Sequence, residues 1–266
     1  MKTKFIQILA ALILPISFII ILILLNAFPL VSISKYGLGG ILMTGIALLL
    51  TYAAVKRDNT SFKKIGFQLE RKTPLRFITG FIIGLVVTIV ILAIVINFSS
   101  LQISYNDEAH IPAVLFGLLG FFPLAYMEEI IFRGYAFTKI NKKFGIWTAQ
   151  ILLSLLFIWY HDFIGATFYY QLLGPGIWAF IYGIAAVWSK GIAFPTGLHM
   201  AINVVLALVG QKDERHGLWN LEYPIDVTSA LKIQTENIGL FSQLCVLIIA
   251  IILTEYYRRN ILKIAN

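Results

Sequence analysis

FITGFIIGLVVTIVILAIVIN, residues 77–97, contains no charged side chain. At 1.5 Å per helical residue the run covers roughly 30 Å, the depth of a bilayer's hydrocarbon core. A soluble helix of this length would keep a polar stripe, and this one has none. Seven further apolar runs accompany it, giving expected spans at 5–26, 37–55, 77–97, 111–138, 146–168, 173–189, 191–210 and 238–257. Composition agrees: 59% of residues are hydrophobic and 13% charged, where a soluble domain carries roughly 25% charged residues. The expected fold is all-α and polytopic, one integral membrane domain over residues 1–266, with about eight transmembrane helices.

The formal charge of +8 invites a nucleic-acid partner, but in such a chain the placement of Lys and Arg matters more than their sum. With both termini cytoplasmic, 16 of the 21 cations fall on the inner side, at Lys2, Lys4, Lys56, Arg57, Lys63, Lys64, Arg71, Lys72, Arg76, Lys139, Lys142, Lys143, Lys190, Arg258, Arg259 and Lys263. Only Lys35, Lys212, Arg215 and Lys232 fall outside, and Arg133 lies within a span. The asymmetry marks the bilayer, not nucleic acid, as the partner and supports an even number of spans. Lys2 and Lys4 would suit a signal peptide, yet the run behind them exceeds an h-region of about 7–15 residues and lacks a small-residue cleavage site, so it reads as a retained helix. Residues 56–76 read first as a positive-inside loop, with a segment along the inner leaflet as the alternative. Gly80 and Gly84 form a small-xxx-small pair that predicts close helix packing. The single cysteine, Cys245, excludes an intrachain disulfide and a multi-cysteine metal cluster.

The informative residues are the polar ones a membrane helix should avoid. In AYMEEIIFRGYAF, residues 125–137, Glu129 and Arg133 are four apart, share a helix face and predict an ion pair in the favourable order. Glu128, about 100° around the helix, is left over. A lone carboxylate at that depth costs several kcal/mol unless it protonates or finds a partner. Partners are offered by Phe157 and His161 in FIWYH and by His199 and Asn203 in HMAIN, each pair on one helix face. Followed from the inner ends of their helices, Glu128 and His199 lie about 15 Å deep and His161 about 22 Å deep, so the groups can meet.

A carboxylate beside an imidazole acts as a general base on water, while a second imidazole and a carboxamide donate to an oxyanion. The same Glu128, His161 and His199 are also ligand types for a catalytic zinc with an open position. Both readings predict hydrolysis. Serine or cysteine nucleophile chemistry is disfavoured, because no G-x-S-x-G elbow appears and Cys245 is far in sequence from either histidine. No HExxH motif is present.

The ordered set of Glu128-Glu129-x-x-x-Arg133, Phe157-x-x-x-His161 and His199-x-x-x-Asn203 resembles the three motifs of the CPBP family, the CAAX proteases and bacteriocin-processing enzymes also called Abi proteins. The resemblance covers about residues 111–210. It implies an intramembrane protease, commonly labelled a metalloprotease, whose helices enclose a conical cavity open to the cytoplasm. By the same resemblance Glu128 and His161 would activate water, with or without bound Zn2+, and His199 and Asn203 would stabilise the oxyanion. Glu129, Arg133 and Phe157 would support them. The implied substrate is a membrane-associated peptide or protein, and the compact chain without targeting extras favours a prokaryotic plasma membrane as the location. Two other classes stay open: a non-catalytic bacteriocin self-immunity or scaffold protein, and a proton-coupled transporter using Glu128 and the histidines as a relay. A transporter would carry inverted repeats, and the motif residues do not recur in a second half.

Overall fold

The computed structural model describes residues 2–27, 38–67, 69–162, 168–212 and 217–261. Of the sequence-level charge map, Lys35, Asp213, Glu214, Arg215 and Lys263 lie outside these residues. In hydrocarbon every backbone N–H and C=O must be paired within its own segment, so the apolar runs fold as helices.

They are α1 (Lys2–Ala27), α2 (Leu38–Arg57), α3 (Thr73–Phe98), α4 (Ile111–Leu119), α5 (Phe121–Glu129), α6 (Ala136–Phe144), α7 (Ile146–Asp162), the short α8 (Phe168–Gln171), α9 (Ile177–Trp188), α10 (Ala193–Leu208) and α11 (Ser229–Tyr256). Among the described residues five helical paths are long and apolar enough to cross a membrane: Phe5–Leu25, Gly39–Arg57, Thr73–Phe98, Ile111–Phe144 and Ser229–Asn260. Three shorter apolar helices, Ile146–His161, Leu172–Trp188 and Ala193–Leu208, occupy the other expected spans. The chain is an all-α integral membrane protein.

Boundaries depart from hydropathy where polar residues stay helical. The fourth path runs on to Phe144 because α6 has one apolar face, with Ala136, Phe137 and Ile140 buried. The last helix begins at Ser229, nine residues before the apolar run, where the Thr228 hydroxyl accepts the Leu231 N–H at 3.4 Å. An antiparallel pair, β1 (Gln102–Tyr105) with β2 (Trp219–Glu222), joins the loops that precede α4 and α11. Hydropathy gave no sign of it.

The basic segments gather at the opposite end. Arg57 Nη2 donates to the Tyr135 hydroxyl at 2.9 Å, that hydroxyl donates to Asp58 at 2.6 Å, and Lys139 pairs with both Asp58 and Tyr135. Burial works against ionising Asp58, but hydrogen bonds from Lys139, Tyr135 and Arg57 outweigh it and lower its carboxyl to about 2. The Ile192 N–H donates to the Gly66 carbonyl at 3.2 Å, tying the basic loop after α2 to the turn before α10. Trp147 Nε1 donates to Glu255 at 3.1 Å and ties the start of α7 to the end of α11.

α10, which carries His199 and Asn203, is clasped by α3 through glycines on both helices. A Cβ on Gly80 would sit 2.1 Å from the Phe194 carbonyl oxygen, one on Gly84 would sit 2.6 Å from that of Leu198, and one on Gly197 would sit 2.1 Å from that of Phe77. The small-xxx-small pair is therefore a backbone-to-backbone contact, as the sequence suggests. Gly80→Ala is expected to cost about 1–3 kcal/mol by overpacking, read as a fall in the thermal midpoint of the purified protein. An unchanged midpoint would mean that the clasp does not hold α10.

Candidate active site

Between α5 and α6 the helix widens into a π turn over Ile130–Tyr135, with Gly134 at φ −75° and ψ −112°. Such insertions interrupt the regular ladder and recur at functional sites. The Glu-Glu pair ends α5 immediately before the turn, and Arg133 lies within it. Glu128, Glu129 and Arg133 are all buried.

The predicted ion pair is present across the turn, with Arg133 Nη1 3.6 Å from Glu129 Oε1. Arg133 Nη2 donates to the Ala179 carbonyl at 3.3 Å. The guanidinium carbon lies 4.4 Å from the Phe157 ring centroid and 5.1 Å from that of Tyr182, a cation–π enclosure that suits Arg in a desolvated site. Glu129 has a second duty that spacing did not reveal: its Oε1 is 3.0 Å from His199 Nδ1. His199 thereby joins the Glu129–Arg133 pair, and its other nitrogen, Nε2, lies 3.6 Å from Glu128 Oε2.

Glu128 is held differently. The Tyr160 hydroxyl donates to its Oε1 at 3.3 Å, while its buried Oε2 has no hydrogen-bond partner among the described residues. His161, one turn after Phe157 on α7, is half-buried and lies in electrostatic reach of Glu128 and His199. Its Nδ1 donates to the Phe157 carbonyl at 2.8 Å, which leaves Nε2 as the acceptor of the neutral ring. The Phe157 ring itself lies 4.5 Å from the His161 ring and 6.2 Å from the His199 ring, centroid to centroid. Tyr182 stacks on His199 at 4.4 Å and 16°. Asn203 is half-buried one turn beyond His199 on α10.

The structure thus draws Glu128, Glu129, Arg133, Phe157, His161 and His199 to one place and sets Asn203 on the adjoining turn. Sequence reasoning missed Tyr160 and Tyr182. Tyr160, directly before His161 in FIWYH, was the accessible signal, a phenol next to a motif histidine in an apolar helix. For zinc the donor types are suitable, since both imidazoles are anchored through Nδ1 in the manner of second-shell support. Yet among the described residues no three His, Cys, Asp or Glu side chains are gathered as a metal's ligand set. Cys245 is a free thiol on α11 and takes no part.

Two carboxylates, an arginine and two imidazoles on four elements of an apolar helical bundle define a membrane protein built around an internal acid–base cluster. Residues 110–205 match the family described as type II CAAX prenyl endopeptidase Rce1-like. This segment, just over a third of the chain, contains all three motifs and matches the CAAX protease (CPBP) family. No curated protein matches the chain.

Proposed function

We propose that the protein is a CAAX-type intramembrane endopeptidase in which Glu128, assisted by His161, activates the water that attacks a peptide carbonyl. The observation that carries this reading is the state of Glu128. It is a buried carboxylate outside the ion pair, fixed through one oxygen by Tyr160 and with the other lacking a hydrogen-bond partner. A buried carboxylate oxygen left unpaired is costly, and a reacting water is the partner that accounts for it.

The reaction then runs on this chain's own groups. A water donates one proton towards Glu128 Oε2 and the other towards His161 Nε2, and its oxygen adds to the carbonyl carbon. Glu128 takes up the proton. The Asn203 carboxamide donates to the oxyanion, as does His199 Nε2 when both ring nitrogens carry protons, with the Nδ1–H held in orientation by Glu129. Glu128 returns the proton to the leaving amine as the C–N bond breaks, regenerating the carboxylate. Arg133, Phe157 and Tyr182 position the set without touching the reacting atoms.

The substrate class that fits is a membrane-associated peptide or protein, in a prokaryotic plasma membrane with the basic loops and both termini cytoplasmic. A zinc-dependent variant is the second reading, favoured by the anchoring of both histidines through Nδ1. Glu128, His161 and His199 would hold the ion, which when bound would acidify the attacking water. A non-catalytic immunity role is the outcome if no peptide is cut.

The test uses purified protein in liposomes with membrane-tethered peptides. His161→Ala is expected to slow cleavage by about 10²-fold or more with the fold intact. Wild-type activity is expected to survive chelation, with no stoichiometric metal in the purified protein. Bound metal at one per chain, with activity lost on chelation and restored by zinc, would replace the first reading with the second. A His161→Ala rate equal to wild type would remove His161 from both.

A further inference from the structure

At the basic end of the molecule, with Arg133 in its wall, lies a concavity of about 190 Å³ that the proposed reaction does not use. Its wall brings together Lys63 and Lys64 from the 3-10 turn Phe62–Ile65, Lys190 from the turn after α9, Arg133 from the π turn and Asn141 from α6. Among the described residues no acidic side chain lines it. Three lysines around one hollow, beside an arginine whose charge Glu129 meets, repel one another, so their gathering needs a reason.

The fold alone does not supply one. The two lysine-bearing turns are joined by main chain, through the Ile192 N–H on the Gly66 carbonyl and the approach of Gly66 to Gly191, where a Cβ on Gly191 would sit 2.7 Å from the Gly66 oxygen. Lys190 is moreover in the left-handed region, at φ 57°, a conformation that Gly or Asn adopts at less cost. A second observation points to a ligand: Arg133 is 2% exposed, lines the hollow, and its buried Nη1 has no hydrogen-bond partner beyond the 3.6 Å ion pair with Glu129.

We propose that this concavity binds a phosphate-type anion, in keeping with the preference of basic pockets at membrane faces for phospholipid headgroups. Guanidinium and ammonium donors together suit the several oxygens of a phosphate. A phospholipid headgroup and free phosphate share the recognised chemistry, and binding measurements separate them.

The full-length protein in neutral detergent is titrated with short-chain phosphatidylglycerol, short-chain phosphatidylcholine and inorganic phosphate, and occupancy is read by native mass spectrometry and calorimetry. Phosphatidylglycerol is expected to bind at least ~10-fold more tightly than phosphatidylcholine, and a Lys63→Ala, Lys64→Ala, Lys190→Asn variant to lose at least ~10-fold. Asparagine at position 190 accepts the left-handed backbone, so this variant folds. Lys142→Ala with Lys143→Ala, on the same face but off the hollow, is expected to bind as wild type. Phosphatidylglycerol binding that inorganic phosphate does not displace assigns the site to a lipid headgroup, and displacement by inorganic phosphate assigns it to phosphate from either source. Equal binding of the two lipids without phosphate binding, an unaffected triple variant, or an equal loss in the Lys142 and Lys143 control would each overturn the proposal.

Discussion

Glu128→Gln is expected to reduce peptide cleavage by about 10³-fold while leaving the protein folded, within the range general acid–base groups contribute. Glutamine keeps the side chain's volume, and its carbonyl oxygen can still accept the Tyr160 hydroxyl that meets Oε1 in the native protein. What it loses is the ability to take a proton from water. The measurement is turnover of a membrane-tethered peptide in liposomes, with thermal midpoint and monodispersity recorded on the same sample. The midpoint is expected to hold or rise, because a buried charge has been removed. Wild-type turnover by this variant would end the assignment of Glu128 as base, whatever its surroundings.

Glu129→Leu is expected to have the larger effect on stability. Arg133 is then left buried with one carbonyl, two aromatic faces and no counter-charge, a state that costs about 3–5 kcal/mol. Adding Arg133→Met removes the stranded cation, and the double variant is expected to regain most of the lost midpoint, since apolar replacement of a buried pair is often neutral or stabilising. Activity is expected to remain low in the double variant, because His199 has lost the acceptor that orients its Nδ1. The two readouts separate the two duties of Glu129. A double variant no more stable than the single would show that the pair is not what Glu129 contributes to folding, and restored activity would show that His199 needs no orientation.

The helices were legible because a bilayer imposes a length and an apolar composition that hydropathy reads directly. That Glu129 and not Glu128 pairs with Arg133 was also legible, since a four-residue spacing pairs one carboxylate with Arg133 and leaves the other over. The meeting of His161 and His199 with the carboxylates followed from comparing depths along separate helices. Depth, however, does not say which atom faces which. Glu129 reaching His199 depends on how α5 and α10 are rotated about their axes, which the glycine clasp with α3 helps to set and no spacing encodes. Tyr160 and Tyr182 were passed over because tyrosine is as common at lipid and packing faces as beside a reacting group. The β1–β2 pair escaped because four residues with an exposed pattern carry no periodicity to detect.

The π turn over Ile130–Tyr135 separates two anchoring systems on one continuous path. At its last residue and past it, Tyr135 and Lys139 are fixed to Arg57 and Asp58; before it, Glu128 and Glu129 are fixed to Tyr160 and His199. The extra residue acts as a phase shifter, letting each half keep its own rotation. Loss of a single residue from the turn would leave a path still long and greasy enough to cross a bilayer, yet would turn one half by about 100° against the other. Membrane insertion and site assembly are therefore written in the same stretch of chain under two different tolerances, one forgiving of length and the other counting single residues.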